Sequence, residues 1–192
     1  MRRAAMILMS SSALCACVTT RQAPPPLAVG WEQRADYLQK TASWQLDGRA
    51  AVAVGSQGWQ ATLNWRQRSE SAEVHLSGPF GVGALVLKLT RDGLSLNGAP
   101  PSGAVLTQLQ ERLGVDLPFD HLRFWLLGVP DPGAAFELTR NGQDRALQLT
   151  QGGWSIDYDR YMPVDADVLP AHLVLNREGV RVRIAVDRWE WR

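Results

Sequence analysis

Two cysteines offer the clearest chemistry in this sequence, and both lie near the N-terminus in the order Leu14-Cys15-Ala16-Cys17. An aliphatic residue, then a small residue directly before a cysteine, is typical of a lipobox, in which the thiol is acylated. Cleavage before Cys17 leaves one cysteine in the mature chain, and an unpaired thiol is unusual in a small protein of an oxidising compartment. A diacylglycerol on its sulfur and a palmitoyl group on its nitrogen would account for Cys17, because two or more acyl chains anchor a protein stably. A plain signal peptide with an incidental cysteine is the alternative.

The residues before this motif have the pattern of a secretory signal. Two arginines form a positive start, and a short apolar segment that ends in small residues follows. Val18, rather than an aspartate, follows the cysteine, which favours the outer membrane. We expect the domain to be tethered to the inner leaflet of that membrane and to face the periplasm. The predicted segments are a signal peptide over 1–16, a lipidated N-terminus and flexible tether over 17–27, and one domain over 28–192.

The polar residues that catalyse reactions in other proteins do not form a recognisable site here. His75, His121 and His172 have no metal-binding spacing such as HExxH, and no GxSxG turn is present. The aspartates between 157 and 167 lack the glycine and the closing glutamate of a calcium-binding loop. We therefore predict no catalytic residue, no metal, no cofactor and no enzymatic activity. The 20 Lys+Arg residues balance 19 Asp+Glu residues, so we expect no binding to nucleic acid.

Alternation with a period of two dominates the domain and predicts a mainly β fold. Apolar residues alternate with polar ones over 59–66 and 180–187, and turns rich in glycine separate such segments. Short links between roughly ten strands predict an antiparallel meander, and a sheet of that size should curl strongly or close. Helical spacing predicts an amphipathic helix over 28–42 and two lid helices over about 102–114 and 118–127.

Eight tryptophans are many for a chain of 192 residues. Several lie on the apolar faces of different elements, which should converge on the concave side of a curled sheet. A cavity lined by tryptophan, leucine and valine holds alkyl chains without leaving polar groups unpaired. A solid, tryptophan-rich core is the alternative. The predicted lining residues of an acyl cavity are Trp59, Leu63, Trp65, Leu85, Leu87, Leu122, Trp125, Leu126 and Trp154.

The segment between two predicted strands at 78–83 carries an aromatic residue where a hairpin normally has polar ones. Its glycines and proline explain a turn, but they do not explain Phe80 at the tip. An exposed aromatic side chain marks a contact surface. We predict that Pro79, Phe80 and Gly81 form a loop that touches the membrane. The alternative is that Phe80 folds back onto the core.

Several motifs together resemble the LolB family of outer-membrane lipoproteins, and the resemblance covers essentially the whole mature chain. No one of them is decisive, but their order and spacing are specific. They are the lipobox at Leu14–Cys17, Trp44–Arg49, Leu63–Gln67, the Gly-Pro-Phe-Gly loop at 78–81, Leu117-Pro118, the segment Phe124–Pro130 and Trp189.

The resemblance implies a single-domain, half-open antiparallel β-barrel of about eleven strands with a helical lid, as in LolA and LolB. It also implies a monomer that accepts lipoproteins, by their acyl chains, from a LolA-type periplasmic carrier and inserts them into the lipid of the outer membrane. The family's insertion loop commonly carries leucine at the position of Phe80. A non-enzymatic outer-membrane lipoprotein that acts as a scaffold for protein partners is the main alternative. A soluble carrier of the same fold and a lipid-modifying enzyme are less favoured, because of Cys17 and the missing catalytic group.

Overall fold

The computed structural model describes residues 30–81 and 83–191, apart from the side chain of Phe80. The predicted signal peptide, Cys17 and the tether lie outside the described residues. The helices are α1 (Trp31–Lys40), α2 (Gly103–Leu113) and α3 (Phe119–Trp125), and Pro79–Gly81 forms a short 3-10 turn. The strands are β1 (Ser43–Val54), β2 (Gln57–Arg68), β3 (Ser71–Ser77), β4 (Leu85–Thr90), β5 (Gly93–Leu96), β6 (Phe136–Arg140), β7 (Ala146–Gln151), β8 (Trp154–Val164), β9 (Asp167–Arg177) and β10 (Val180–Trp191).

All ten strands of the described chain form one antiparallel sheet in the order β5-β4-β3-β2-β1-β10-β9-β8-β7-β6. Neighbours in the sheet are neighbours in sequence, except that β1 pairs with β10 and so joins the two halves. Strands β5 and β6 are the free edges, so the sheet stays open. The prediction of a mainly β, half-open antiparallel fold is confirmed, with ten described strands instead of the eleven or so implied by the resemblance.

The alternation seen in the sequence separates an inner from an outer face. On β2, Leu63 and Trp65 are buried, whereas Thr62 before them and Arg66 after them are exposed. Side chains of adjacent residues point to opposite faces of a strand, so one face of the sheet is apolar and the other is polar. The inner faces of the two halves and one side of each helix share a single hydrophobic core.

Helices α2 and α3 pack on the inner face, in the two segments where helical spacing was found. Helix α2 begins after Ser102, whose Oγ accepts a hydrogen bond from the backbone N–H of Val105. It ends at Gly114, whose φ of 72° is a left-handed conformation that glycine adopts without strain. The ring of Phe119 at the start of α3 lies 6.4 Å from that of Trp65 on β2.

Candidate functional site

The residues predicted to line an acyl cavity come together on the inner face of the sheet. They belong to β2, β4, α3 with the residue after it, and β8, and they share one core. Trp59 is half-buried at its border, and the other eight are buried. Trp125 is 0% exposed and Trp154 is 1% exposed. Leu122, Trp125 and Leu126 belong to the same core as the strand residues.

Two tryptophans that the sequence analysis did not place in the site, Trp44 and Trp189, form a row of contacting rings with Trp65 across the sheet. We call this row the aromatic wall. The ring of Trp44 on β1 stacks on that of Trp65 with centroids 6.0 Å apart and an angle of 20°. Trp189 on β10 meets Trp44 edge to face at 5.4 Å. Both residues fall in the family motifs quoted above, and their inward phase on β1 and β10 would have indicated them. The wall therefore spans both halves of the sheet.

A buried glutamine fixes α3 to the sheet. Gln151 on β7 is 2% exposed, and its side-chain oxygen accepts hydrogen bonds from Nε1 of Trp125 at 2.8 Å and from the backbone N–H of Asp131 at 2.9 Å. Its amide nitrogen donates to the carbonyls of Asp131 and Ala134, both at 2.9 Å. Every polar group of this side chain is thus satisfied, which is what makes its burial tolerable.

Tyr158 on β8 adds a second buried tie to α3. Its hydroxyl donates a hydrogen bond of 2.9 Å to the backbone carbonyl of Trp125. Burial raises the pKa of the Tyr158 hydroxyl well above its ordinary value, so this group stays protonated and remains a donor. The imidazole of His121 stacks on the ring of Trp125 at 5.5 Å, and its Nδ1 lies 2.6 Å from the carboxylate of Asp131. Polar contacts with β7, with β8 and with the loop after α3 therefore hold this helix.

Helix α2 is held far more lightly. In the described part of the chain, one hydrogen bond joins it to the sheet, from Nε1 of Trp59 on β2 to the carbonyl of Leu113 at 2.8 Å. Its remaining attachment is apolar, through Val105, Leu109 and Leu113, while Leu106 on the other side is 56% exposed. The two predicted lid helices therefore differ in how firmly they are attached.

The predicted membrane loop is the 3-10 turn between β3 and β4. The backbone N–H of Gly81 donates to the carbonyl of Gly78 at 3.0 Å, and Gly81 adopts a φ of 76°. Pro79 and Gly81 are both exposed. The backbone of Phe80 therefore lies at the tip of a turn that projects from the sheet, and its side chain is outside what the structure describes.

The order of these elements and the motifs that build the aromatic wall can be compared with known proteins. The family model described as outer membrane lipoprotein LolB matches residues 42–189, which include the sheet except for the last two residues of β10, the 3-10 turn, α2 and α3. The chain belongs to the LolB family. This confirms the resemblance seen in the sequence motifs.

Similar proteins extend this LolB assignment to nearly the full chain. The outer-membrane lipoprotein LolB of Nitrosococcus oceani is 34% identical over 98% of this chain and 97% of its own length. The protein of the same name from Pseudomonas fluorescens is 31% identical over 83% of this chain and 80% of its own length. Among solved structures, a LolA superfamily protein from Nitrosomonas europaea superposes with a TM-score of 0.54 at 8% identity, covering 85% of this chain and 94% of the other. This last likeness shows the fold.

Two further observations bear on how a LolB-type domain meets a membrane and a ligand. No helix within 30–81 and 83–191 has both the length and the apolar character needed to span a membrane. The same described residues contain no group of three or more histidine, cysteine, aspartate or glutamate side chains that could hold a metal ion.

Proposed function

We propose that this protein is an outer-membrane lipoprotein receptor that takes lipoproteins from a LolA-type periplasmic carrier and passes their acyl chains into the outer membrane. The observation that carries the proposal is the convergence of apolar side chains from β2, β4, α3 and β8 on one face of an open sheet, beneath a lightly held helix. Membership of the LolB family supports the same role. A hydrophobic surface that a movable element covers can receive a lipid and keep it from water.

The acyl chain would displace α2, rather than α3, from the inner face of the sheet. Leaving the sheet costs α2 the burial of Val105, Leu109 and Leu113, at about 1.5–3 kcal/mol for each side chain. About ten methylenes of an acyl chain, at about 0.8 kcal/mol each, offset this loss when they take the same place. Moving α3 would also break the hydrogen bonds around Gln151, which an acyl chain cannot replace.

Transfer of the acyl chains from the carrier through this site to the bilayer requires only that the affinity for them rises at each step. The acyl chains must prefer this site to the carrier and the bilayer to this site, and each 1.4 kcal/mol of preference gives about a tenfold equilibrium ratio. The 3-10 turn at Pro79–Gly81 would touch the head groups and position the site for release. Acylated Cys17 would hold the domain on the inner leaflet, facing the periplasm. No step requires a catalytic residue.

Binding of an environment-sensitive fatty-acid probe to the full chain carrying Cys17→Ser tests the proposal. We expect saturable binding, weakened at least tenfold by Leu87→Trp, which fills space on the inner face. Lys88→Trp is the matched control, because Lys88 is the exposed neighbour on the same strand and its substitution leaves the inner face unchanged. Leu63→Phe provides a second inner-face variant should Leu87→Trp lower the melting temperature. Absence of saturable binding by the parent chain would favour the scaffold function instead.

A further inference from the structure

The outer face of the sheet carries a groove of about 510 Å³ on the side opposite the aromatic wall. Residues directly opposite each other in antiparallel strands share a face, so the strand registers define a row of side chains across six strands. This row begins next to the 3-10 turn, whose Pro79 also lines the groove. Its members, in order, are Ser77, Thr62, Arg49, Ala185, His172 and Arg160.

The groove is lined by basic side chains and has no carboxylate among the described residues that form it. Arg49, Arg160, Arg183 and His172 line it, and small side chains such as Ala185 form its floor. In the register, the backbones of Arg49 and Arg160 are three strand spacings apart, about 14 Å. That distance leaves room between the two guanidinium groups for a small anion.

Two irregularities of the sheet produce this arrangement. The pairing of β10 with β1 skips Asp187, and the pairing of β8 with β9 skips Asp159. A bulged residue shifts the phase of its strand, so Arg160 lies opposite His172 on the outer face where Asp159 would otherwise stand. Bulges of this kind are frequent where a sheet serves a function.

The two bulged aspartates neutralise only part of the positive charge. The carboxylate of Asp187 lies 2.9 Å from a guanidinium nitrogen of Arg49, and that of Asp159 lies 2.7 Å from Nδ1 of His172. Arg160 and Arg183 form no ion pair with any other residue within 30–81 and 83–191. Two uncompensated guanidinium groups therefore face a groove with a small-residue floor.

We propose that this groove binds the phosphate of an anionic phospholipid head group. A guanidinium group can donate two parallel hydrogen bonds to two oxygens of one phosphate, because its N–H donors are held in a rigid plane. The proposal rests on the proposed function, because the turn that would meet the membrane forms one end of the groove. A head group fits a concave groove of this volume, and binding there would add an electrostatic contact beside the apolar one at Phe80.

Vesicle binding by the full chain carrying Cys17→Ser tests the groove without the lipid anchor. We expect stronger binding to vesicles of phosphatidylglycerol and phosphatidylethanolamine than to phosphatidylcholine alone. The double variant Arg160→Gln, Arg183→Gln should bind the anionic vesicles roughly 25-fold more weakly, on a scale of about fivefold per arginine near the surface. The matched control is Arg68→Gln, Arg112→Gln, which removes the same charge from exposed positions outside the groove. Equal weakening in both double variants would overturn the proposal.

Further binding measurements identify the source of the anion and distinguish this proposal from the receptor function. Short-chain phosphatidylglycerol should shift the backbone amide resonances of Ala51, Arg183 and Ala185. Binding of inorganic phosphate there without binding of the vesicles would overturn the lipid assignment. The lipid assignment would also be overturned if the groove variant bound vesicles normally but bound the carrier more weakly. That result would indicate an acidic protein surface as the ligand. Fatty-acid probe binding should stay normal in the groove variant, and its loss in the parent chain would count against the receptor function alone.

Discussion

Nε1 of Trp125 and the side-chain oxygen of Gln151 lie 2.8 Å apart in the core and join α3 to β7. The same oxygen accepts a hydrogen bond from the backbone N–H of Asp131, which follows α3 in the chain. One polar side chain on the inner face therefore fixes both a helix and the loop after it. The neighbouring helix, α2, is joined to the sheet in the described residues by one hydrogen bond, from Nε1 of Trp59 to the carbonyl of Leu113. Because of this difference, we expect α2, rather than α3, to move when a lipid arrives.

Replacing Gln151 should reveal how much of the stability depends on this contact. The substitution Gln151→Leu keeps the volume but leaves two N–H donors without partners, so we expect the free energy of unfolding to fall by about 2–4 kcal/mol. Urea denaturation measures this change. Gln148→Leu, on an exposed part of the same strand, is the control and should change it by less than about 0.5 kcal/mol. A similar small loss in Gln151→Leu would show that the contact adds little.

The single hydrogen bond from Trp59 should control the opening of α2. Trp59→Phe removes this bond of about 1 kcal/mol, so the open population of α2 should rise about fivefold. Native-state hydrogen exchange should show faster exchange in α2 and unchanged exchange in α3. Trp191→Phe removes an indole hydrogen bond to Tyr37 far from α2 and should leave α2 unaffected. Equal acceleration throughout the sheet would contradict a local role for Trp59.

The tip of the 3-10 turn should matter for release and not for binding. Phe80→Glu places a carboxylate where the turn meets the membrane, and that group must lose its hydration to enter the head-group region. We expect normal thermal stability and normal probe binding, with transfer of a lipoprotein to vesicles slowed at least tenfold. Phe80→Leu keeps the apolar character and should retain transfer. Delivery by Phe80→Glu at the rate of the parent chain would rule out a role for this residue in release.

Metabolic labelling with palmitate tests the anchor at Cys17. Cys17→Ser should abolish labelling and move the protein from the membrane fraction to the periplasmic fraction, because the acyl chains are lost. Cys15→Ser removes the cysteine of the predicted signal peptide and should leave both labelling and location unchanged. Persistent labelling of Cys17→Ser would place the modification elsewhere.

Local sequence patterns determined much of this protein. The alternation over 59–66 indicated a strand and its buried face, because neighbouring side chains of a strand must point in opposite directions. Ser102 and Gly114 marked the ends of α2, because a side-chain cap and a left-handed residue act within one turn. The motifs at 44–49 and 124–130 indicated the family for the same reason, since they can be read along the chain.

Only the tertiary structure decided which distant groups meet. Leu147 continues the alternation of β7, yet it is 49% exposed because a bulge skips it and turns Ala146 inward. The burial of Gln151 against Trp125 and the outward position of Arg160 depend in the same way on the partner that each strand or helix finds. A strand's own sequence fixes which residues share a face, but its register and bulges are set by pairing with elements far along the chain. For that reason the apolar wall was visible in the sequence, whereas the polar contact that holds α3 and the basic groove on the other face were not.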